Sequence, residues 1–384
     1  MLPDITTNSK MPNLKTTIFT IVNELARAHD AVNLSQGFPD FDASPELLSQ
    51  VSKAMQSGHN QYAPMRGILS LRETIAATIE NLHGHRYNPE SEITITAGAT
   101  QGIFTAISAF VKKGDEVIVL TPAYDSYIPA INLNGGVVVP VALSSEDFAM
   151  DIEGIKEAIS PKTRMLIINT PHNPSGRIFS KNQMQLLQEV LRTTDIIVLS
   201  DEVYEHIVFD GKTHQSVAKF ENLASRSIIC SSFGKTFHVT GWKIGYCVGP
   251  KYLIDEFNKV HQYNVFCVNH PIQKGLNAYL QEATTYLNLG SFYQKKRDYF
   301  LKAIGPSRFK FAPSEGTFFQ LLDYSAITDD LDLHFVERLI KQHKLASIPV
   351  SVFHANHLKN KYLRFCFAKS NETLDKAAAI INKI

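Results

Sequence analysis

At 384 residues the chain exceeds the roughly 100–200 residues of a usual single domain, so two domains and a large core are expected. Lys plus Arg (38) nearly cancel Asp plus Glu (37) without a long run of like charge, which argues against a nucleic-acid binder and favours small-molecule chemistry. No segment approaches the roughly 18 apolar residues of a membrane span, and the first ten residues lack the apolar stretch of a signal peptide.

Residues 1–35 show no clear alternation of strand and helix. From about residue 92 to 250, short β-rich runs alternate with amphipathic stretches of helix length. Ile93–Ala97 leads into a helix near Thr100–Lys112, and Glu116–Thr121 into one near Ser126–Asn134. Val137–Val141 precedes a helix at Ile152–Ile159, Arg164–Asn169 precedes one at Lys181–Arg192, and Asp195–Ser200 follows; Ser227–Ser232 and Lys243–Val248 add two strands. This rhythm predicts βαβ units and a mostly parallel sheet with helices on both faces. The tail mixes helices near Phe292–Ala303, Leu333–His343 and Glu372–Ile384 with strands at Thr317–Leu322 and Tyr362–Ala368, an α+β pattern. The four cysteines, Cys230, Cys247, Cys267 and Cys366, are scattered without a C-x-x-C pair, which fits reduced thiols in a cytoplasmic protein.

Lys235 lies in Ser232-Phe233-Gly234-Lys235-Thr236, with Lys243 shortly after it. A neighbouring cation disfavours the ammonium form and leaves an amine able to attack a carbonyl. Asp201 follows a predicted strand, where open α/β sheets place their ligands; it suits a turn or helix cap, and equally a carboxylate that keeps a pyridine nitrogen protonated. Tyr204 could hydrogen-bond a phenolic oxygen or sit in a wall. Asn173 precedes a proline, which holds its backbone extended at another strand end. Gly98-Ala99-Thr100 opens a helix after a strand, a cradle for phosphate to which Ser232 and Lys243 could contribute. Tyr124 suits stacking on a cofactor ring or ordinary core packing. Arg364, alternating with apolar residues in a strand pattern, either faces solvent or captures a carboxylate with its planar fork. His83-Gly84-His85 and the pair His354 and His357 lack carboxylate or thiolate companions at ligand spacing, so solvated loop histidines and no metal are expected.

Taken together, Asn33-Leu34-Ser35-Gln36-Gly37-Phe38-Pro39-Asp40-Phe41, Asn60-Gln61-Tyr62, Asn173-Pro174-Ser175-Gly176, Ser200-Asp201-Glu202-Val203-Tyr204-Glu205, the Lys235 segment and Arg364-Phe365 resemble the class I/II aminotransferases of fold type I, which use pyridoxal 5′-phosphate. Within that class the chain looks most like the branch of methionine aminotransferases and kynurenine/glutamine transaminases. The resemblance implies an α/β fold with a seven-stranded, mostly parallel sheet in a large cofactor-binding domain over residues 36–284. A smaller α+β domain would be built from 285–384 with part of the arm 1–35.

It further implies a Schiff base on Lys235, Asp201 at the pyridine nitrogen, Tyr204 with Asn173 at the phenolic oxygen, and the phosphate on Gly98, Ala99, Thr100, Ser232 and Lys243. Tyr62 would reach the phosphate of the neighbouring subunit in a homodimer with shared sites, and Arg364, with Gly37 and Asn173, would bind the substrate's α-carboxylate. The reaction implied is amino transfer from an amino acid to a 2-oxo acid with ping-pong kinetics. Two departures from the aspartate aminotransferase pattern matter. Lys243 stands where that branch has an arginine, and His261–Gly275 has no arginine for a side-chain carboxylate. By analogy Phe266 of the partner subunit, with Ile18, Phe19 and Tyr124, would line an apolar pocket that favours methionine, aromatic amino acids or glutamine. A cysteine-conjugate β-lyase would use the same Lys235, Asp201 and Arg364. A transcription regulator with an aminotransferase-like sensor would need a DNA-binding module before Asn33, where the sequence leaves no room.

Overall fold

The computed structural model describes residues 8–12, 14–354 and 361–384. Its centre is a seven-stranded sheet. In chain order the strands are β1 (Val32–Asn33), β2 (Ile93–Thr96), β3 (Glu116–Thr121), β4 (Val137–Ala142), β5 (Thr163–Asn169), β6 (Ile197–Asp201), β7 (Ser227–Ser232) and β8 (Gly245–Val248), and all but β1 belong to this sheet, in the order β2-β8-β7-β6-β5-β3-β4. Only β8 runs against its neighbours.

The reason is written in the strands. Along β3, Val117 and Val119 enter one buried apolar layer, with Ile103 and Ile107 of the helix Ala99–Phe110. Ile118 and Leu120 enter the opposite layer, with Met184 and Leu187 of the helix Lys181–Leu191. A strand apolar on both sides of its period-two alternation must be covered on both faces, which crossover helices accomplish. Each such fully buried aliphatic side chain contributes about 1.5–3 kcal/mol relative to exposure. Ser180 starts the helix Lys181–Leu191 with a capping box, its hydroxyl accepting from the Gln183 N–H while the Gln183 side chain accepts from Ser180 N–H.

Four further strands follow: β9 (Phe319–Asp323), β10 (Leu345–Ala346), β11 (Ile348–Pro349) and β12 (Tyr362–Cys366). β11, β12 and β9 form an antiparallel sheet, and β1 pairs in parallel with β10, so the segment before residue 35 is joined to the tail of the chain. Among the described residues no helix is long and apolar enough to cross a membrane.

Several predicted boundaries shift. Asp201 is the last residue of β6 and not the first after it. β8 starts at Gly245 and not Lys243, because Lys243 takes a left-handed backbone (φ 51°) that ends strand pairing. β9 starts at Phe319 and not Thr317, whose φ is 64°, and β12 stops at Cys366 and not Ala368. The short β1 and the helix Ile18–Ala28 give residues 1–35 more order than their sequence suggested. The cysteines are free; Cys230, Cys247 and Cys366 are buried, and Cys267 is half-buried.

His83 is not a solvated loop residue. It closes the helix Leu69–His83 and its Nε2 lies 3.4 Å from Glu205 Oε2. That pair belongs to a buried polar cluster in which Glu202 Oε2 meets His214 Nε2 at 2.7 Å, and Glu205 Oε1 accepts from Ser231 and Tyr246. His85 packs on Tyr87 at a ring-centroid distance of 4.4 Å. His354 is also buried, and His357 lies outside the described residues. No group of ligands suited to a metal occurs among the described residues.

Candidate active site

The strands β3, β5, β6 and β7 run parallel, so Thr121, Asn169, Asp201 and Ser232 all end at one edge of the sheet. There the carboxyl ends open into a pocket that also meets β12 and the loop after β1. Its lining includes Phe19, Gln36, Gly37, Phe38, Gly98, Ala99, Thr100, Tyr124, Asn169, Asn173, Asp201, Val203, Tyr204, Ser232, Lys235, Thr240, Lys243, Phe319 and Arg364.

One end of the pocket is built for a phosphate-sized anion. Gly98 has φ 81° and ψ 167°, a backbone region open essentially to glycine alone. The helix that follows leaves the Ala99 and Thr100 N–H groups without intrahelical acceptors and puts the positive end of its dipole there. Gln101 fixes the turn by accepting from Ala97 N–H at 2.9 Å. Lys243 extends to the same place: a Cβ at Gly98 would lie 3.6 Å from its Nζ. Replacing Gly98 with alanine forces an L side chain into that conformation at about 1–3 kcal/mol. Cofactor titrated into the apoprotein should then bind roughly tenfold or more weakly, followed by its absorbance.

Lys235 sits in the short helix Phe233–Thr236 directly after β7. Its Nζ donates to the Gly37 carbonyl at 2.9 Å and lies 5.4 Å and 5.8 Å from the ring centroids of Phe318 and Tyr204. Loss of water lowers its pKa from the ordinary 10.5 to about 8, with Arg364 and Lys243 adding repulsion. Desolvation outranks the neighbouring cation that sequence reasoning had put first.

Asp201 is buried at the end of β6. Burial lifts its carboxyl to about 6, against the pull of the Tyr127 hydroxyl, the Val203 N–H and Lys235. Tyr204 is buried, its ring edge-on to Phe318 at 5.1 Å. Asn173 is buried too; its backbone N–H donates to Asn169 Oδ1 at 2.7 Å, and Asn169 Nδ2 donates to the Asp201 carbonyl at 2.9 Å, which ties β5, β6 and the following turn together.

At the other end, Arg364 is 1% exposed in the middle of β12. One guanidinium nitrogen donates to Asn173 Oδ1 at 2.8 Å and the other to the Ser35 carbonyl at 3.1 Å; its Nε has no partner. Phe319 lies 4.0 Å from the guanidinium carbon, with Phe19 and Phe353 at 5.3 Å and 5.5 Å. Desolvation brings its pKa down from 12.5 to about 10, so it stays charged at neutral pH. Among the described residues, none of Lys235, Lys243 and Arg364 is ion-paired, and Asp201 is the only carboxylate in the lining. Such a pocket attracts a ligand with two anionic ends.

The chain has the sequence to match. The family model of aminotransferases of class I and II fits residues 29–381. The chain belongs to this family. It is 46% identical to the methionine aminotransferase of Escherichia coli (strain K12), covering 98% of both chains, and 33% identical to kynurenine–oxoglutarate transaminase 3 of Homo sapiens, covering 98% of this chain and 90% of that one. A solved Escherichia coli structure described as having a methionine aminotransferase function superposes with a TM-score of 0.97 at 45% identity, covering 99% of this chain and 100% of that one. This class I/II aminotransferase is accordingly dependent on pyridoxal 5′-phosphate, and the pocket fits that cofactor: it holds a buried lysine amine that could meet an aldehyde, a glycine-led helix start with Lys243 that would suit a phosphate, and one buried carboxylate that would suit a ring nitrogen.

The structure gathers Gly37, Gly98, Ala99, Thr100, Tyr124, Asn173, Asp201, Tyr204, Ser232, Lys235, Lys243, Arg364 and Phe19 around this one pocket. Ile18, expected in the pocket, does not line it, and Tyr62 and Phe266, expected to reach the neighbouring subunit's pocket, do not line this one. Ile18, one position from Phe19 on the same helix and so turned about 100° away, packs on the core. Tyr62 and Phe266 lie outside, 80% and 51% exposed, with their rings edge-on at 5.3 Å. Sequence reasoning missed Gln36, Phe38, Asn169, Val203, Phe319 and, behind the lining, Tyr127. Asn169 ends a predicted strand, the one signal that pointed to it; Tyr127 lies in a predicted helix and carried no signal of its own.

Proposed function

We propose that this aminotransferase moves the amino group of methionine, aromatic or related neutral amino acids to a 2-oxo acid by a ping-pong cycle. Its two sites would each be completed by the other subunit of a homodimer. The observation that carries the reading is the buried Arg364 fork in the same pocket as the Lys235 amine, neither of them in a salt bridge among the described residues. A guanidinium held in that way binds a carboxylate through two parallel hydrogen bonds.

Pyridoxal phosphate, when bound, supplies a ring that draws electrons from the substrate's Cα. The phosphate would be held by the Ala99 and Thr100 N–H groups after Gly98, with Ser232 and Lys243, and completed by Tyr62 of the partner subunit. Asp201 would keep the ring nitrogen protonated, Tyr204 and Asn173 would hydrogen-bond the phenolic oxygen, and Tyr124 would stack on the ring. Arg364, flanked by Asn173 and Gly37, would fix the α-carboxylate and so aim the Cα hydrogen at Lys235. A neutral Lys235 then takes that proton as a general base and returns it as a general acid. Phe19, with Phe266 of the partner subunit, would face the substrate side chain.

Two features support the dimer and the substrate class. Tyr62 and Phe266 are exposed with their rings in contact at 5.3 Å, apolar surface that a solvated face disfavours. The stretch 261–275 brings no arginine that would welcome a second carboxylate. A half-reaction screen, following loss of the cofactor's absorbance band on adding each amino acid, tests the reading. Methionine, phenylalanine and kynurenine should react within roughly 200-fold of one another, the discrimination that small apolar differences allow. Aspartate should be slower than all of them, and an aspartate faster than methionine overturns the substrate assignment.

A further inference from the structure

Tyr127 is 1% exposed and begins the helix Tyr127–Leu133, outside the pocket lining and in the apolar layer with Ile103, Leu199 and Cys230. Its hydroxyl donates to Asp201 Oδ2 at 2.5 Å. The second carboxylate oxygen, Oδ1, takes only a 3.3 Å bond from the Val203 N–H. The other titratable groups facing Asp201 are Lys235, Tyr124, Tyr204 and Cys230, while the neighbouring Glu202 is bonded to His214 and Ser200.

We propose that Tyr127 is a positioning residue for the reaction: from behind the sheet edge it fixes one oxygen of Asp201 and favours the ionised carboxylate, leaving the other oxygen to serve the ring nitrogen of the cofactor. The inference rests on the reading that Asp201 meets that nitrogen. A phenol has one proton to give, and a hydrogen bond to an ionised oxygen is roughly twice as strong as one between neutral groups. Tyr127 thus stabilises the charged form of Asp201 selectively. Burial works in the opposite direction, and with Tyr127 silent the carboxyl would protonate nearer to neutral pH.

The test is Y127F, which keeps the ring and removes only the donor. Holoenzyme is mixed with methionine and the single-turnover decay of the cofactor band is measured from pH 6 to 9. Wild type should lose rate only at the acid end. Y127F should be slower by about tenfold near pH 6.5 and recover toward wild type by pH 9, the loss expected for one charge-assisted bond. In the D201N background, Y127F should add no further loss, because the partner it acts on is gone. A loss uniform across pH, or one that persists in D201N, marks Tyr127 as packing only and overturns the proposal. Circular dichroism melting of each variant keeps a folding defect visible. If wild type takes up cofactor but D201N shows normal rates, the reading of Asp201 itself fails; if wild type and D201N behave as stated and Y127F matches wild type, only the role of Tyr127 fails.

Discussion

K235A should lose turnover by at least about three orders of magnitude, the combined effect of removing a general acid–base group and a nucleophilic amine. The neighbouring residues offer no replacement. Arg364 stays charged, and Lys243 lies beside the glycine-led helix start. Sodium borohydride treatment of the wild-type holoenzyme should fix the pyridoxyl group on the peptide that contains Lys235, and mass spectrometry should find no such adduct in K235A. Lys235 must be neutral to attack an aldehyde, and its pKa is drawn down from 10.5 to about 8 by burial. Cofactor capture by the apoprotein should therefore speed up as pH rises toward 8 and level off above it, whereas an exposed lysine would keep gaining to beyond pH 10. A labelled peptide elsewhere in the chain, or a K235A protein with wild-type turnover, would refute the site.

R364M is expected to reduce kcat/KM for every α-amino acid by about 30- to 4000-fold, the equivalent of the roughly 2–5 kcal/mol lost when one partner of a buried charge pair is truncated. Cofactor binding should be nearly unchanged, because Arg364 comes from β12 and bonds to Asn173 and Ser35, not to the Gly98 turn. R364K keeps the charge but has no fork and should recover only part of the loss. An amine without a carboxylate should be indifferent to all three side chains. Stability should move the other way. In the free protein Arg364 is a charge out of water with no salt bridge among the described residues, only the more distant pull of Asp125, and an unbonded Nε, so methionine of similar volume should leave the melting temperature equal or higher. A fall in melting temperature parallel to the loss of activity would show that Arg364 is structural.

These two residues also show what could be read early. Lys235 was legible because small residues and a second cation surround it in sequence, and Asp201 because a strand ends at it. For Arg364 the sequence offered only an arginine among apolar neighbours, equally suited to a solvent-facing strand. The pairing of β12 with β11 and β9 turns it inward, and Asn173, 191 positions away, holds it there. Tyr127 was illegible for a related reason: an aromatic in an apolar helix face is ordinary core until a carboxylate from β6 arrives at its hydroxyl.

The sequence by itself determined the alternation of strands and helices, the parallel sheet that follows from strands apolar on both faces, the family, and the candidates proposed to meet a phosphate, an aldehyde and a ring nitrogen. Those are local matters of period, turn chemistry and motif. Only the tertiary structure decided which of the singled-out residues share one pocket, that water loss and not the nearby cation chiefly lowers the Lys235 pKa, that Phe19 lines the site while Ile18 does not, and that Arg364 is buried with no salt bridge among the described residues. Burial and pairing across the fold depend on which distant segments meet, and no short stretch of the chain carries that information.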